Sequence, residues 1–275
     1  MLAINWQLIK ESASKAIAIV GIGETAAAVI GLSLANVMPK EAGWFERLGI
    51  FILCYITLCA LIVLYSYIRD YNGIVLKINN TEVAVAIGDL FAGDGLKVIP
   101  FDERYDTTVD DRVISKKSLN GIFIEQYADK EKLSAFLKEE EDTTLAKPAR
   151  IDGDLRYPLG TVKTYGDYAL VSFTHMDRLN CAHLSRSEYE GCLMGMWREL
   201  SRVYAGKKII LPLLGSGITR FDDGRPKDDE LLRCLLCTLR ASGQSYSSGV
   251  EIVLTDKAAA GMRLYQVRQY TKMWQ

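Results

Sequence analysis

The residues best suited to chemistry are Ile209-Ile210-Leu211-Pro212-Leu213-Leu214-Gly215-Ser216-Gly217-Ile218-Thr219-Arg220-Phe221. An apolar strand runs there into a loop in which two glycines flank a serine. Gly215 and Gly217 permit close backbone approach and unusual φ, so that successive N–H groups can point at an anion. Arg220 adds a fork of donors suited to phosphate. A loop at the carboxyl end of a strand in an α/β sheet is where such folds bind ligands. A second stretch, Val85-Ala86-Ile87-Gly88-Asp89-Leu90-Phe91, ends a strand in Gly-Asp. After it, Leu96-Lys97-Val98-Ile99-Pro100-Phe101-Asp102 leads into a long polar segment, ERYDTTVDDRVISKKSLNG. A loop of that length in a compact domain is more often functional than structural.

Other candidates carry less. Cys234 and Cys237 form C-x-x-C inside the apolar LLRCLLCTLR, with no second ligand pair, and read as a helix core stripe. His175 and His183 are the only histidines, eight residues apart, without the spacing of a metalloprotease or zinc finger. No metal site and no catalytic residue is assigned. A hydrolytic triad could include His175, but nothing selects its serine. G-x-S-x-G, Walker A and H-E-x-x-H are all absent.

The elements that position these residues read as one α/β domain. Strands are expected at Ile74–Ile78, Val83–Ile87, Leu96–Phe101, Gly160–Thr164, Tyr168–Thr174, Lys208–Leu213 and Val250–Thr255. Helices are expected at Lys130–Glu141, Ser185–Tyr204, Asp228–Ala241 and Lys257–Tyr270. Ser185 and Glu188 have capping-box spacing. Tyr189, Cys192, Leu193, Met196, Trp197 and Leu200 then follow a helical stripe. Strands alternating with helices predict a layered sheet with helices on both faces. The Glu139–Asp142 run reads as a solvated helix end.

Ahead of this domain lie two long apolar runs. Ala16–Met38 is 23 residues with one charge, Glu24, and Leu48–Ile68 is 21 with none. Each is long enough to cross the roughly 30 Å of bilayer hydrocarbon as a helix. The linker PKEAGWFER offers Pro39 as a stop and Trp44 and Phe45 for the interface. The expected organisation is a segment 1–15, a two-helix transmembrane hairpin over 16–68 (spans 16–38 and 48–68) and a soluble domain over 69–275. A signal peptide explains one run but not two. Gly21-Ile22-Gly23-Glu24-Thr25-Ala26 also fits a dinucleotide-binding turn, but Glu41 and Glu46, near the distance of its ribose acid, precede another uncharged run. Gly23, Ala27, Gly31 and Ala35 instead form a small-residue stripe that lets helices approach in lipid. Glu24 either faces a helix interface or water, or stays protonated near the headgroups. Lys10, Lys15, Arg69 and Lys77 outside the spans place both termini in the cytoplasm of a multi-pass protein of the bacterial inner membrane. Free cysteines agree with a reducing compartment.

Composition closes off other classes. The 275 residues carry 33 Lys+Arg and 34 Asp+Glu, a net charge of −1, with 24% charged and 49% hydrophobic residues. That balance excludes nucleic-acid binding by bulk charge and a disordered chain.

Together the loops resemble the macro domain, an ADP-ribose-binding α/β/α three-layer fold. The resemblance implies that Asp89 accepts from the adenine amine, beside Leu90. It implies that Ser115, Ser118, Leu119 and Gly121 form a first phosphate loop. A second loop of Gly215, Ser216, Gly217 and Ile218, with Arg220 and Phe221, would wrap the diphosphate and distal ribose. Phe101 and Asp102 stand where the family has an asparagine-bearing strand end, and the first loop's glycine run is reduced to Gly121. Those departures imply ligand binding without the hydrolase chemistry of many macro domains. With the hairpin, the chain resembles the effector family of type II Thoeris antiphage defence through the GDLFAGDGLKVIPFDERYDT, SLNGIF and LPLLGSGITRFDDG blocks. The resemblance implies a signal nucleotide derived from ADP-ribose, a histidine adduct made by a TIR-domain partner. It also implies homo-oligomeric assembly and damage to the lipid bilayer. A membrane-anchored ADP-ribosyl hydrolase and a non-catalytic membrane adaptor are the alternatives.

Overall fold

The computed structural model describes residues 13–14, 16–21, 43–71, 73–111, 113–138, 147–151, 153–177, 181–262, 264, 267–268 and 271. The chain divides into two compact units, 1–72 and 73–275.

In the first unit, helix α1 runs over Trp44–Tyr71, 28 residues or about 42 Å at 1.5 Å per residue. The sequence places Trp44 and Phe45 in a linker; the structure makes them its first turn, where Gly43 N donates to Glu46 Oε2 at 3.1 Å. Glu46 thereby satisfies an amide that an α-helix otherwise leaves unpaired. Trp44–Tyr65 is long and apolar enough to cross a membrane, and its side chains are largely uncovered, with Phe45 72% and Leu53 66% exposed. Residues 16–21 are helical, Ala16 is fully buried, and Tyr55 OH donates to Ala13 O at 3.0 Å. The remainder of the first expected span, with Gly23, Glu24, Ala27, Gly31 and Ala35, lies outside the described residues.

The second unit opens with β1 (Gly73–Ile78) and β2 (Thr81–Ile87), an antiparallel hairpin turned by Asn79 and Asn80 at φ 48° and 61°. Two successive left-handed residues give the turn whose twist matches paired strands. Then follow β3 (Leu96–Asp102), a short α2 (Leu119–Ile122) continued by a wide turn over Phe123–Tyr127, and α3 (Lys130–Lys138). A small hairpin, β4 (Ala149–Ile151) and β5 (Asp154–Arg156), precedes β6 (Val162–Tyr165), β7 (Tyr168–Met176) and β8 (Ala182–Leu184). The chain continues as α4 (Arg186–Val203), β9 (Ile209–Pro212), β10 (Arg220–Phe221), α5 (Asp228–Ser242), β11 (Val250–Leu254) and α6 (Asp256–Gly261). The expected final helix is interrupted: Met262 is extended, at φ −103° and ψ 150°.

The main sheet has the order β1-β2-β11-β9-β3-β7-β8-β10, with β6 beside β7. Strands β2, β11, β9, β3 and β7 are mutually parallel, so their carboxyl ends share one edge. One face is covered by α4, α5 and α6 around Trp197, Leu193, Leu235 and Ile252. The other carries α2, the wide turn and α3 around Phe101, Phe123 and Leu133. Each such side chain, fully buried, contributes roughly 1.5–3 kcal/mol. The α4 capping box forms in full: Ser185 Oγ accepts from Glu188 N and the Glu188 carboxylate from Ser185 N. Those Ser185 bonds hold the Glu188 carboxyl below the usual carboxylate range. Cys234 lies on the inward side of α5, its thiol pushed up to about 12 by burial. Burial also raises the Cys237 thiol, so neither is a ready nucleophile.

Candidate functional site

The glycine loop leaves β9 in the middle of the carboxyl edge, and three of its carbonyl groups are engaged. Leu213 O accepts from Ser216 N at 3.2 Å and Ser216 Oγ at 2.7 Å. Leu214 O accepts from Tyr189 OH of α4 at 3.1 Å. Burial holds that phenol far above its ordinary range, so it remains a donor. Ser216 O accepts from Arg225 Nη2 at 2.7 Å. The amides are treated in the opposite way. Among the described residues nothing accepts from the N–H of Gly217, Ile218 or Thr219. Gly217 and Ile218 are exposed, Ile218 at 69%. Engaged carbonyl oxygens beside N–H groups that stay free give the loop a positive potential.

The two glycines differ. Gly215 is at φ +83°, and a Cβ there would meet the Phe221 ring at 3.1 Å. Gly217 lies outside the left-handed region, contrary to the sequence reading, and a Cβ would meet nothing within 4 Å. Phe221, 8% exposed, packs edge-on against Tyr189 and supports the loop from beneath. Arg220 is exposed and pairs with no carboxylate among the described residues.

The expected first phosphate loop has spent most of its donors. Val113 N donates to Asp110 Oδ1 at 2.7 Å, Lys116 N to Asp111 Oδ1 at 2.9 Å and Lys117 N to Ser115 Oγ at 3.3 Å. Ser118 N goes to Ser115 O, and Ser118 Oγ caps Gly121 N at 3.2 Å. Gly121 is required by packing, since a Cβ would lie 2.2 Å from Ser115 O. Leu119 packs partly buried on the second core. Two aspartates occupy amides of this loop, Asp110 that of Val113 and Asp111 that of Lys116, which the sequence reading did not foresee.

At the end of β2, Asp89 is exposed, and its Oδ1 accepts from Phe91 N at 3.0 Å. Leu90 and Phe101 belong to the core, at 3% and 2% exposure. Phe91 and Tyr127 stack with centroids 4.4 Å apart and planes 4° from parallel, an aromatic platform that sequence reasoning missed. Asp102 is turned inward: 5% exposed, its Oδ1 accepts from Arg104 N at 2.6 Å. Burial raises its carboxyl above the ordinary range, against the pull of that hydrogen bond.

A polar chain was also missed. Glu103, 5% exposed, receives Arg156 Nη1 at 2.9 Å and contacts His175 Nδ1 at 2.6 Å. His175 Nε2 faces Glu188 Oε1 at 3.4 Å. His183 lies 5.9 Å from His175 between ring centroids, and Asp222 is 3.3 Å from its Nδ1. Among the described residues no group of three or more His, Cys, Asp or Glu could hold a metal ion.

Residues 83–255 match the family model described as Thoeris protein ThsA, macro domain. The chain is a ThsA-type Thoeris protein, a member of the ThsA macro-domain family. The Thoeris protein ThsA of Bacillus amyloliquefaciens (strain Y2) is 32% identical over 236 residues, covering 81% of this chain and 80% of that protein. Two mutant forms of the Oceanobacillus iheyensis macrodomain share 16% and 18% identity at TM-scores of 0.47 and 0.46. Each likeness covers 74% of this chain, and 98% and 95% of theirs. The match to the ThsA macro domain spans all three loops read from the sequence, from Asp89 through Ser118 to Gly217. It also contains the Glu103–His175 pair and Arg225.

Proposed function

We propose that this chain is a Thoeris antiphage effector that senses an ADP-ribose-derived signal nucleotide made by a TIR-domain partner. The carrying observation is the glycine loop, whose carbonyls are engaged by Ser216, Tyr189 and Arg225 while the N–H groups of Gly217, Ile218 and Thr219 stay free. Such a loop favours a diphosphate. Asp89, with an acceptor oxygen beyond its bond to Phe91 N, and the Phe91–Tyr127 platform suit an adenine. The adduct is read as histidine-ADP-ribose, as in type II systems. On this reading the N-terminal apolar segments anchor the protein in the bacterial inner membrane with the macro domain cytoplasmic. Ligand binding then drives homo-oligomeric assembly and membrane disruption, with Gly23, Ala27, Gly31 and Ala35 as the assembly face. Calorimetry with ADP-ribose and its histidine adduct tests the sensing step, and dye release from liposomes carrying the full chain tests the membrane step. Absence of binding sinks the reading; binding without ligand-dependent leakage removes its second half.

A second reading, a membrane-anchored ADP-ribosyl hydrolase, is favoured by the Glu103–His175 contact, because a carboxylate on Nδ1 orients Nε2 for proton transfer. Turnover of the same ligands separates the two.

A further inference from the structure

Arg225 plays no part in the reading above, yet its guanidinium rests on the glycine loop. Its Nη2 donates to Ser216 O at 2.7 Å, and among the described residues no carboxylate pairs with it, although Asp222, Asp223, Asp228 and Asp229 are near in sequence. Across a trans peptide the C=O and N–H vectors point in opposite directions, and no cis peptide bond occurs among the described residues. The direction of Ser216 O, toward Arg225, therefore sets the direction of Gly217 N–H, away from it. Arg225 lies behind the cradle of amides.

The Ser216–Gly217 peptide is the one most able to turn over. Its rotation changes ψ of Ser216 and φ of Gly217, and glycine tolerates nearly any φ. A Cβ at Gly217 would touch nothing within 4 Å, so packing does not hold the glycine itself in place. On its other side Ser216 is fixed through N and Oγ to Leu213 O. Rotation would replace an outward N–H by an outward carbonyl oxygen, a repulsive group for any anion.

We infer that Arg225 is a positioning residue: it locks the Ser216–Gly217 peptide so that the Gly217 amide faces a bound diphosphate. The inference rests on the reading of this loop as an anion site. An arginine that touched phosphate directly would act differently, because its charge would add to the salt dependence of binding.

The test is calorimetry on the full chain in detergent, with ADP-ribose and inorganic pyrophosphate as separate probes over a range of salt. Arg225→Ala should weaken both probes by about tenfold or more at every salt concentration, leaving the salt dependence and the melting temperature near wild type. Arg225→Lys, which can still donate to Ser216 O, should recover most of the loss. Wild-type affinity in Arg225→Ala overturns the inference. So does a loss that vanishes at high salt, which would mark a direct phosphate contact. If Arg225→Ala does not fold, Arg225→Lys and Arg225→Met are read in the same way, the first expected to bind and the second not. Wild-type protein that binds pyrophosphate but not ADP-ribose fails the nucleotide reading and leaves the inference standing on the pyrophosphate series. Binding of neither removes both.

Discussion

Glu103 and His175 meet at 2.6 Å across the carboxyl ends of β3 and β7, with Arg156 on the other oxygen of the same buried carboxylate. The carboxylate is 5% exposed and depends on both partners for its solvation.

Glu103→Gln should therefore destabilise the macro domain by about 1.5–3 kcal/mol, the range for a lost hydrogen bond to a charged group. Thermal melting measures it. On the sensing reading neither wild type nor variant turns over ADP-ribose derivatives. Wild-type turnover abolished in Glu103→Gln would instead establish the hydrolase.

Gly217→Glu should abolish nucleotide binding while leaving the melting curve unchanged. The position is exposed and open to a side chain. The damage would come from a carboxylate placed among the free amides. Unchanged affinity in calorimetry removes this loop from the site.

Asp89→Ala should cost about 1.5–3 kcal/mol of affinity for adenine nucleotides, the range for a hydrogen bond to a charged group. A hypoxanthine analogue lacks the exocyclic amine and should bind the parent weakly and be little affected. Equal losses for both ligands would mean that Asp89 serves only its turn to Phe91.

Asp102→Asn should stabilise the fold at neutral pH. Burial raises the Asp102 carboxyl, so its ionisation opposes folding, and the stability that protonation confers is lost as pH rises from the ordinary carboxyl range, about 4, through the folded value. An amide keeps the oxygen that accepts from Arg104 N without that penalty. Denaturant melts at pH 3 and pH 7 should differ between variant and wild type only at the higher pH. A variant less stable at both refutes this account.

A fragment beginning at Gly73 should fold alone and stay soluble, because the compact second unit starts there and the uncovered apolar side chains of α1 precede it. Size-exclusion chromatography and circular dichroism decide; an aggregated or unfolded fragment would move the boundary.

Much of this fold was legible because parallel strands buried on both faces read as continuous apolar runs, as in Ile209–Pro212. The α4 start was legible because a capping box is local. Strands β8 and β10, of three and two residues, carry no period to detect. The glycine loop announced itself by composition. Its key property did not, because which way each peptide faces depends on Tyr189 and Arg225, donors that come from elsewhere in the chain. Likewise Glu103 and His175 are 72 residues apart in sequence, and only the pairing of β3 with β7 joins them. In the expected first phosphate loop the contacts of Asp110 and Asp111 with the amides of Val113 and Lys116 were likewise not legible, because a polar segment does not reveal which of its charges turn back onto its own backbone.

The pairing of β2 with β11, Val83 against Val250, gives the macro domain a direction in time. Synthesis runs from the N-terminus at about 5–20 residues per second, so α1 is made roughly ten to forty seconds before the strand that completes the sheet. Until Val250–Leu254 has been made, β9 pairs with β3 alone, and the bond from Leu213 N to Val253 O at the root of the glycine loop cannot form. On the proposed function, the glycine loop could not take its final form, and so could not hold a ligand, until this last strand had been translated.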